Sequence, residues 1–331
     1  MQQVIGHAAI LSAFERLVTT EQLGHAYLLA GPAGVGKSTV ATWIAARLLC
    51  TASGQRPCEQ CDACAAVTRG SHPDVLRLSD EGVRSVESVR EWTSALACST
   101  LFAGWKIGIV EGAEQMNEAG ANACLKTIEE PTPKTVILLT APSRRAVLPT
   151  IASRCVAIPC ARVPTAVLTK GLQARTAMDA GEADALAALA DGCPGRAIAC
   201  HGNPERRARH AEYRTLAHSA VTDTYSDRLR GIENFARDLP SDRPSACEQA
   251  MELVQAFRDI GRETMLRRPP TPQTTAWLQL LVAAPQYLRA NVSPRLLLET
   301  IAATYPAENH QSPKHQIPMK SPITNPQISV I

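Results

Sequence analysis

Three groups of residues in this 331-residue chain have types and spacings that could do chemistry. The first is "GPAGVGKST", made of Gly31, Pro32, Ala33, Gly34, Val35, Gly36, Lys37, Ser38 and Thr39. It fits G-x-x-x-x-G-K-[ST], whose glycines let the backbone curl so that its N–H groups face the β- and γ-phosphates of a nucleotide. Lys37 adds a positive charge and Ser38 can ligate Mg²⁺, while the helix that starts there adds its dipole. A chance glycine turn is the bland alternative. A strand-like run before the loop and a helical run after it argue against that.

The second group is "KIGIVEGAEQMN", residues 106–117. A nucleotidase with such a loop wants two adjacent acids at the tip of a neighbouring strand. Here Glu111 takes the first place and Gly112 the second, so no base stands there. Glu114 lies two residues beyond. It serves only if the backbone bends it toward the site; otherwise it is a solvated acid favoured by a helix start.

The third group is Cys50, Cys58, Cys61 and Cys64, spaced C-x7-C-x2-C-x2-C. Four thiolates within fifteen residues can close a tetrahedral Zn²⁺ site, and with every position filled such a zinc is structural. Unrelated reduced cysteines and a redox Cys-x-x-Cys pair are the alternatives. Of the 11 cysteines, the other seven sit in apolar segments, where burial as small hydrophobes is the default.

The elements that must position these groups follow from periodicity. Strand-like runs fall at 26–31, 74–78, 106–110, 135–140 and 155–159, and helical spacing at 37–49, 83–98 and 119–130. Alternating β and α segments predict an α/β module with a parallel sheet. From 165 to 200 two or three short helices are expected, then a polar linker at 201–210, then helices again over 205–305. The tail 308–331 has few large apolar residues and is expected to be disordered.

Bulk properties bound the rest. The formal net charge is +3, which gives no electrostatic argument for direct nucleic-acid binding. There is no basic and apolar leader at the N-terminus and no run of about 18 apolar residues, so a cytoplasmic chain without a membrane span is expected.

Together the loop, the four-cysteine insert, "VIGH" (4–7), "NACLKTIEEP" (122–131) and "LPTIASRC" (148–155) resemble the AAA+ clamp-loader ATPases of bacterial DNA polymerase III. The resemblance covers residues 1–305. It implies a P-loop α/β domain over 1–162 carrying a zinc insert at 50–64. A small helical lid over 163–203 and an all-α C-terminal collar domain over 204–307 would follow. It also implies ATP with Mg²⁺ in the loop and structural Zn²⁺ in the insert. The implied partners are the gamma/tau and delta subunits, with the sliding clamp and primed DNA met through the assembly.

Within the group two types compete: the gamma/tau motor and the delta-prime stator. "GCPGRAIA" (192–199), "AFRDIGRE" (256–263) and "NVSPRLLLE" (291–299) resemble delta-prime. In the motor the lid arginine that senses nucleotide falls at about Gly195, whereas here Arg196 comes one place later. The motor's strand ends Asp-Glu, the first acid holding Mg²⁺ through water and the second activating the attacking water. Glu111-Gly112 therefore implies nucleotide binding with poor turnover. By the same resemblance Arg154, in Ser153-Arg154-Cys155, is an arginine finger that acts on a neighbour's ATP. Thr140 and Ser143 fall in the sensor-1 region, where "TAPSRRAV" departs from the motor pattern. A branch-migration motor fits less well, because of the cysteine insert and the SRC string.

Overall fold

The computed structural model describes residues 4–79, 83, 85–100, 104–176, 178–267 and 269–306. The tail at 308–331 lies outside them. The chain divides into two compact units, 1–207 and 208–331.

The first unit is built on five parallel strands: β1 Ala26–Ala30, β2 Val75–Leu78, β3 Lys106–Val110, β4 Thr135–Ala141 and β5 Val156–Pro159. Their order in the sheet is β2-β3-β4-β1-β5. β3 and β4 are buried along their whole length, as their near-continuous apolar runs require. β5 is an edge strand and stays partly exposed.

Side-chain alternation divides the core in two. Tyr27, Leu29, Ile107, Ile109, Val136 and Leu138 point to one face, under helices α1 (Ala8–Thr19), α2 (Lys37–Leu49) and α3 (Asp62–Arg69). Leu28, Val110, Ile137 and Leu139 point to the other, under α4 (Val86–Ala97), α5 (Glu118–Glu129) and α6 (Pro149–Ala152). Each fully buried Leu or Ile contributes roughly 1.5–3 kcal/mol by leaving water. Gly108 has a packing reason: a Cβ there would meet Trp92 Cζ2 at 2.6 Å. Trp92 is pinned in turn by Nε1–H donating to the Leu76 carbonyl at 3.0 Å.

Local chemistry sets the helix starts. Gly36, at φ 110°, turns the chain from the phosphate loop into α2. Ser85 caps α4 by accepting from the Ser88 N–H, and Asn117 caps α5 by accepting from the Gly120 N–H at 2.7 Å. Both caps start their helices within three residues of where periodicity alone puts them. Helices α1 and α3 are additional to the periodic segments.

Three short helices follow β5: α7 (Thr165–Thr176), α8 (Ala180–Ala190) and α9 (Pro194–Cys200). They share a core of Leu168, Leu172, Leu186, Ala187 and Ala197, which Ile5 and Val163 complete.

The segment 201–210 is not a linker throughout, since helix α10 already runs Pro204–Thr222. Pro204 is tolerated there because the first helical turn needs no N–H partner. The second unit continues with α11 (Tyr225–Arg237), α12 (Arg243–Arg267), α13 (Pro272–Arg289) and α14 (Pro294–Thr304). Its core centres on Trp277, edge-to-face with Phe257 and with Tyr305 at centroid distances of 6.1 and 4.9 Å. Trp277 Nε1–H donates to the Ile301 carbonyl at 2.9 Å.

Candidate functional site

The phosphate loop sits between the end of β1 and the start of α2 and is held from three sides. The Gly31 N–H donates to the Ala141 carbonyl of β4 at 3.0 Å. A Cβ on Gly31 would lie 2.2 Å from the Cys160 carbonyl oxygen, so only glycine lets the loop pass β5 this closely. His7 Nε2 lies 2.9 Å from the Val35 carbonyl, which gives "VIGH" a role in fixing the loop. Lys37 Nζ donates to the carbonyls of Gly31 and Pro32 at 2.7 and 2.9 Å, so its ammonium lies inside the loop's curl.

The third support comes from α9. The Gly195 N–H donates to the Gly34 carbonyl at 2.7 Å. A Cβ on Gly34 would meet Arg196 Cγ at 3.2 Å, and one on Gly195 would meet Gly34 O at 3.0 Å. The "CPGR" turn is thus seated on the glycine loop, and both glycines permit the approach. Arg196, placed one position off by the motif, is brought against the loop all the same. Nothing in the local sequence signals this contact, which joins residues about 160 apart.

At the tip of β3, Gly112 has φ 71° and ψ 43°, a left-handed conformation that disfavours any side chain. Its N–H donates to the hydroxyl of buried Thr140 at 3.3 Å. The backbone bends there into a single 3-10 turn, Ala113–Gln115, which carries half-buried Glu114. Ser143 is exposed beyond the end of β4.

Glu111 is paired with a residue that belongs to none of the motifs. Arg77, on β2, places Nη1 3.4 Å from Glu111 Oε1 and donates from Nη2 to Thr42 Oγ1 at 2.8 Å. Thr42 Oγ1 in turn donates to the Ser38 carbonyl at 2.8 Å. The guanidinium therefore bridges the acid at the strand tip and the helix that carries Ser38. Only the sheet order, with β2 beside β3, makes the pair visible.

Arg154 follows α6 at the surface. Its Nε donates to the Glu129 carboxylate at the end of α5, and its Nη1 to the Thr150 carbonyl at 2.9 Å. Both side chains of the pair are more than a third exposed.

The Sγ atoms of Cys50, Cys58, Cys61 and Cys64 all lie within 4.8 Å of one another. A tetrahedral site with Zn–S bonds of about 2.3 Å needs sulfurs about 3.8 Å apart, so the cluster could hold zinc with a small contraction. Cys50 closes the set from the end of α2, and Cys61 and Cys64 flank the start of α3. Backbone N–H groups of Cys58, Cys61 and Cys64 point at the sulfurs of Cys50, Cys58 and Cys61 at 3.4, 3.4 and 3.5 Å. The N–H of Cys64 is the main reason the Cys61 thiol falls to about 5, whereas burial pushes Cys64 up to about 12. A bound dication would hold all four as thiolates. Of the remaining cysteines, Cys98 is exposed, Cys247 is half-buried and the other five are buried.

Among the described residues no helix is long and apolar enough to cross a membrane. The family model described as "DNA polymerase III, delta subunit" matches residues 6–163. DNA polymerase III subunit delta' of Pseudomonas aeruginosa is 39% identical over 198 residues, covering 57% of this chain and 59% of that protein. The subunit delta' of Haemophilus influenzae is 41% identical over 141 residues, covering 41% and 42%. That of Escherichia coli is 32% identical over 228 residues, covering 67% and 68%. The aligned part of this chain thus spans less than two thirds of the length of the first two relatives.

Proposed function

The chain belongs to the family of DNA polymerase III delta-prime subunits, and on that premise we propose that it is the stator of a clamp loader. In this reading it organises an AAA+ ring with gamma/tau and delta subunits, and the assembly places a sliding clamp on primed DNA. It binds nucleotide in the loop at residues 31–39 and hydrolyses it poorly. Its contribution to hydrolysis is Arg154, presented to ATP held by a neighbouring subunit.

The observation that carries the reading is the backbone at Gly112. The position where a water-activating acid belongs is glycine, and its left-handed conformation disfavours a side chain. A P-loop with its lysine in place can hold phosphates by backbone N–H groups and charge alone. Turnover needs a positioned base as well. Arg154, by contrast, is exposed on a short surface turn, where a planar guanidinium can meet a phosphate presented by another subunit. Zinc in the four-cysteine site would only tie α2 to α3, as a closed site offers no open position for chemistry. A replication subunit of this kind works in the cytoplasm.

Single-turnover ATP hydrolysis by the purified chain tests this. The chain should bind ATP and show little hydrolysis, and Lys37→Ala should remove the binding. Hydrolysis by the chain alone that disappears on Lys37→Ala would instead identify a gamma/tau-type motor, with Glu114 as the acid.

A further inference from the structure

The pairing of Arg77 with Glu111 bears on the metal rather than on the nucleotide. In a P-loop site Mg²⁺ is held by the loop hydroxyl, here Ser38, by phosphate oxygens, and by an acid at the neighbouring strand tip. Mg²⁺ demands near-octahedral oxygen ligands and gives up its waters reluctantly, so it depends on acids that are free to face it. At the tip of β3 that acid is Glu111, and its carboxylate already faces the Arg77 guanidinium at 3.4 Å. The guanidinium is fixed at its other end by Thr42, one helical turn after Ser38. The residues at this strand tip therefore do not fit a Mg²⁺ shell.

We propose that Arg77 replaces the metal-binding half of this site, so that the loop takes a nucleoside di- or triphosphate without a divalent cation. The inference rests on the reading that the loop holds a nucleotide. Its physical content is a charge balance. Arg77 neutralises Glu111, so the strand tip offers a dication no net negative charge. A dication brought there meets a neutral pair in place of a free carboxylate and would have to displace the guanidinium to gain Glu111. Lys37 and the loop N–H groups then carry the phosphate charge by themselves.

The test is titration of the full chain with mant-ADP, in Mg²⁺ and again in excess EDTA, for the natural sequence and for Arg77→Met. The methionine keeps the stem of the side chain and frees Glu111. The natural chain should bind with affinities within about threefold in the two buffers, whereas Arg77→Met should bind about tenfold more tightly in Mg²⁺ than in EDTA, tenfold being ~1.4 kcal/mol. Far-UV circular dichroism and the thermal midpoint check that the variant is folded. If it is not, Arg77→Gln serves in the same two buffers. A natural chain that loses tenfold or more in EDTA overturns the proposal and leaves the nucleotide reading intact. A folded variant as indifferent to Mg²⁺ as the natural chain overturns the role of Arg77. No binding in either buffer overturns the nucleotide reading and the proposal with it.

Discussion

The Nε–H of Arg154 donates to the carboxylate of Glu129, a residue twenty-five positions earlier at the last turn of α5. The two strings that carry them, "NACLKTIEEP" and "LPTIASRC", are separated in sequence and joined in space by this ion pair. A guanidinium that is to reach a phosphate on another subunit must first give up Glu129.

The cost of that exchange is small. Exposed pairs contribute about 0–1 kcal/mol, which is at most about fivefold in a rate. Glu129→Gln should therefore leave ATP hydrolysis by the reconstituted clamp loader within about fivefold of normal. Arg154→Ala should lower hydrolysis at the site it reaches by on the order of a thousandfold, the scale of a lost arginine finger. Arg154→Lys should not restore it, because a lysine lacks the planar fork. Nucleotide binding by the isolated chain should be the same in all three variants. Wild-type rates in the complex with Arg154→Ala would show that the arginine only ends a surface turn.

In the second unit, Pro285 stands inside α13 and has no N–H for the Leu281 carbonyl four residues before it. Arg258 of α12 supplies the missing donors: Nε and Nη2 reach the Leu281 carbonyl at 3.1 and 2.7 Å, and Nη2 reaches Val282 O at 3.3 Å. Arg258→Ala leaves that carbonyl unsatisfied and should destabilise the chain by about 1–3 kcal/mol in urea unfolding. In a Pro285→Ala background the helix can satisfy its own carbonyl, so the same substitution should cost measurably less. Equal costs in the two backgrounds would mean that Arg258 acts by packing alone.

These cases mark where the sequence was legible. The strand Lys106–Val110 and the helix Lys37–Leu49 lie where the apolar run and the glycine loop put them, because burial and the turn at Gly36 act locally. The four cysteines meet because three of them lie within seven residues and the fourth ends the preceding helix. The segment around Pro285 reads as helical within 205–305, but the support that lets the helix run through the proline was not legible, because the compensating arginine lies on another element. Nor were Arg77 beside Glu111 or Gly195 on Gly34. Both depend on which strands and helices become neighbours, and a motif does not encode that.

The cysteine cluster predicts a metal count and a local response to its loss. The purified chain should carry about one zinc, and Cys61→Ser or Cys64→Ser should lower that below half by atomic absorption. Because a structural zinc contributes its binding energy to folding, chelation should open residues 50–69 first. Limited proteolysis should then cut in that segment while the β-sheet core stays protected. A metal-free chain that resists cleavage there would show that the four thiols are held by packing.

Gly112 allows a last prediction, about what cannot be repaired by one substitution. Gly112→Glu puts an acid where a motor subunit has one, yet two features of the site oppose it. A side chain in the left-handed region costs roughly 1–2 kcal/mol, so the variant should be less stable than the natural chain by about that much. The Gly112 N–H is bonded to Thr140, so relieving the strain moves the new carboxylate with the turn. Glu111 also remains engaged by Arg77. Single-turnover hydrolysis by Gly112→Glu should stay at the level of the natural chain. Gly112→Ala should show the same loss of stability, which separates the backbone cost from the charge. A burst of hydrolysis from Gly112→Glu alone would mean that the missing acid was the sole defect and that the rest of the site is competent.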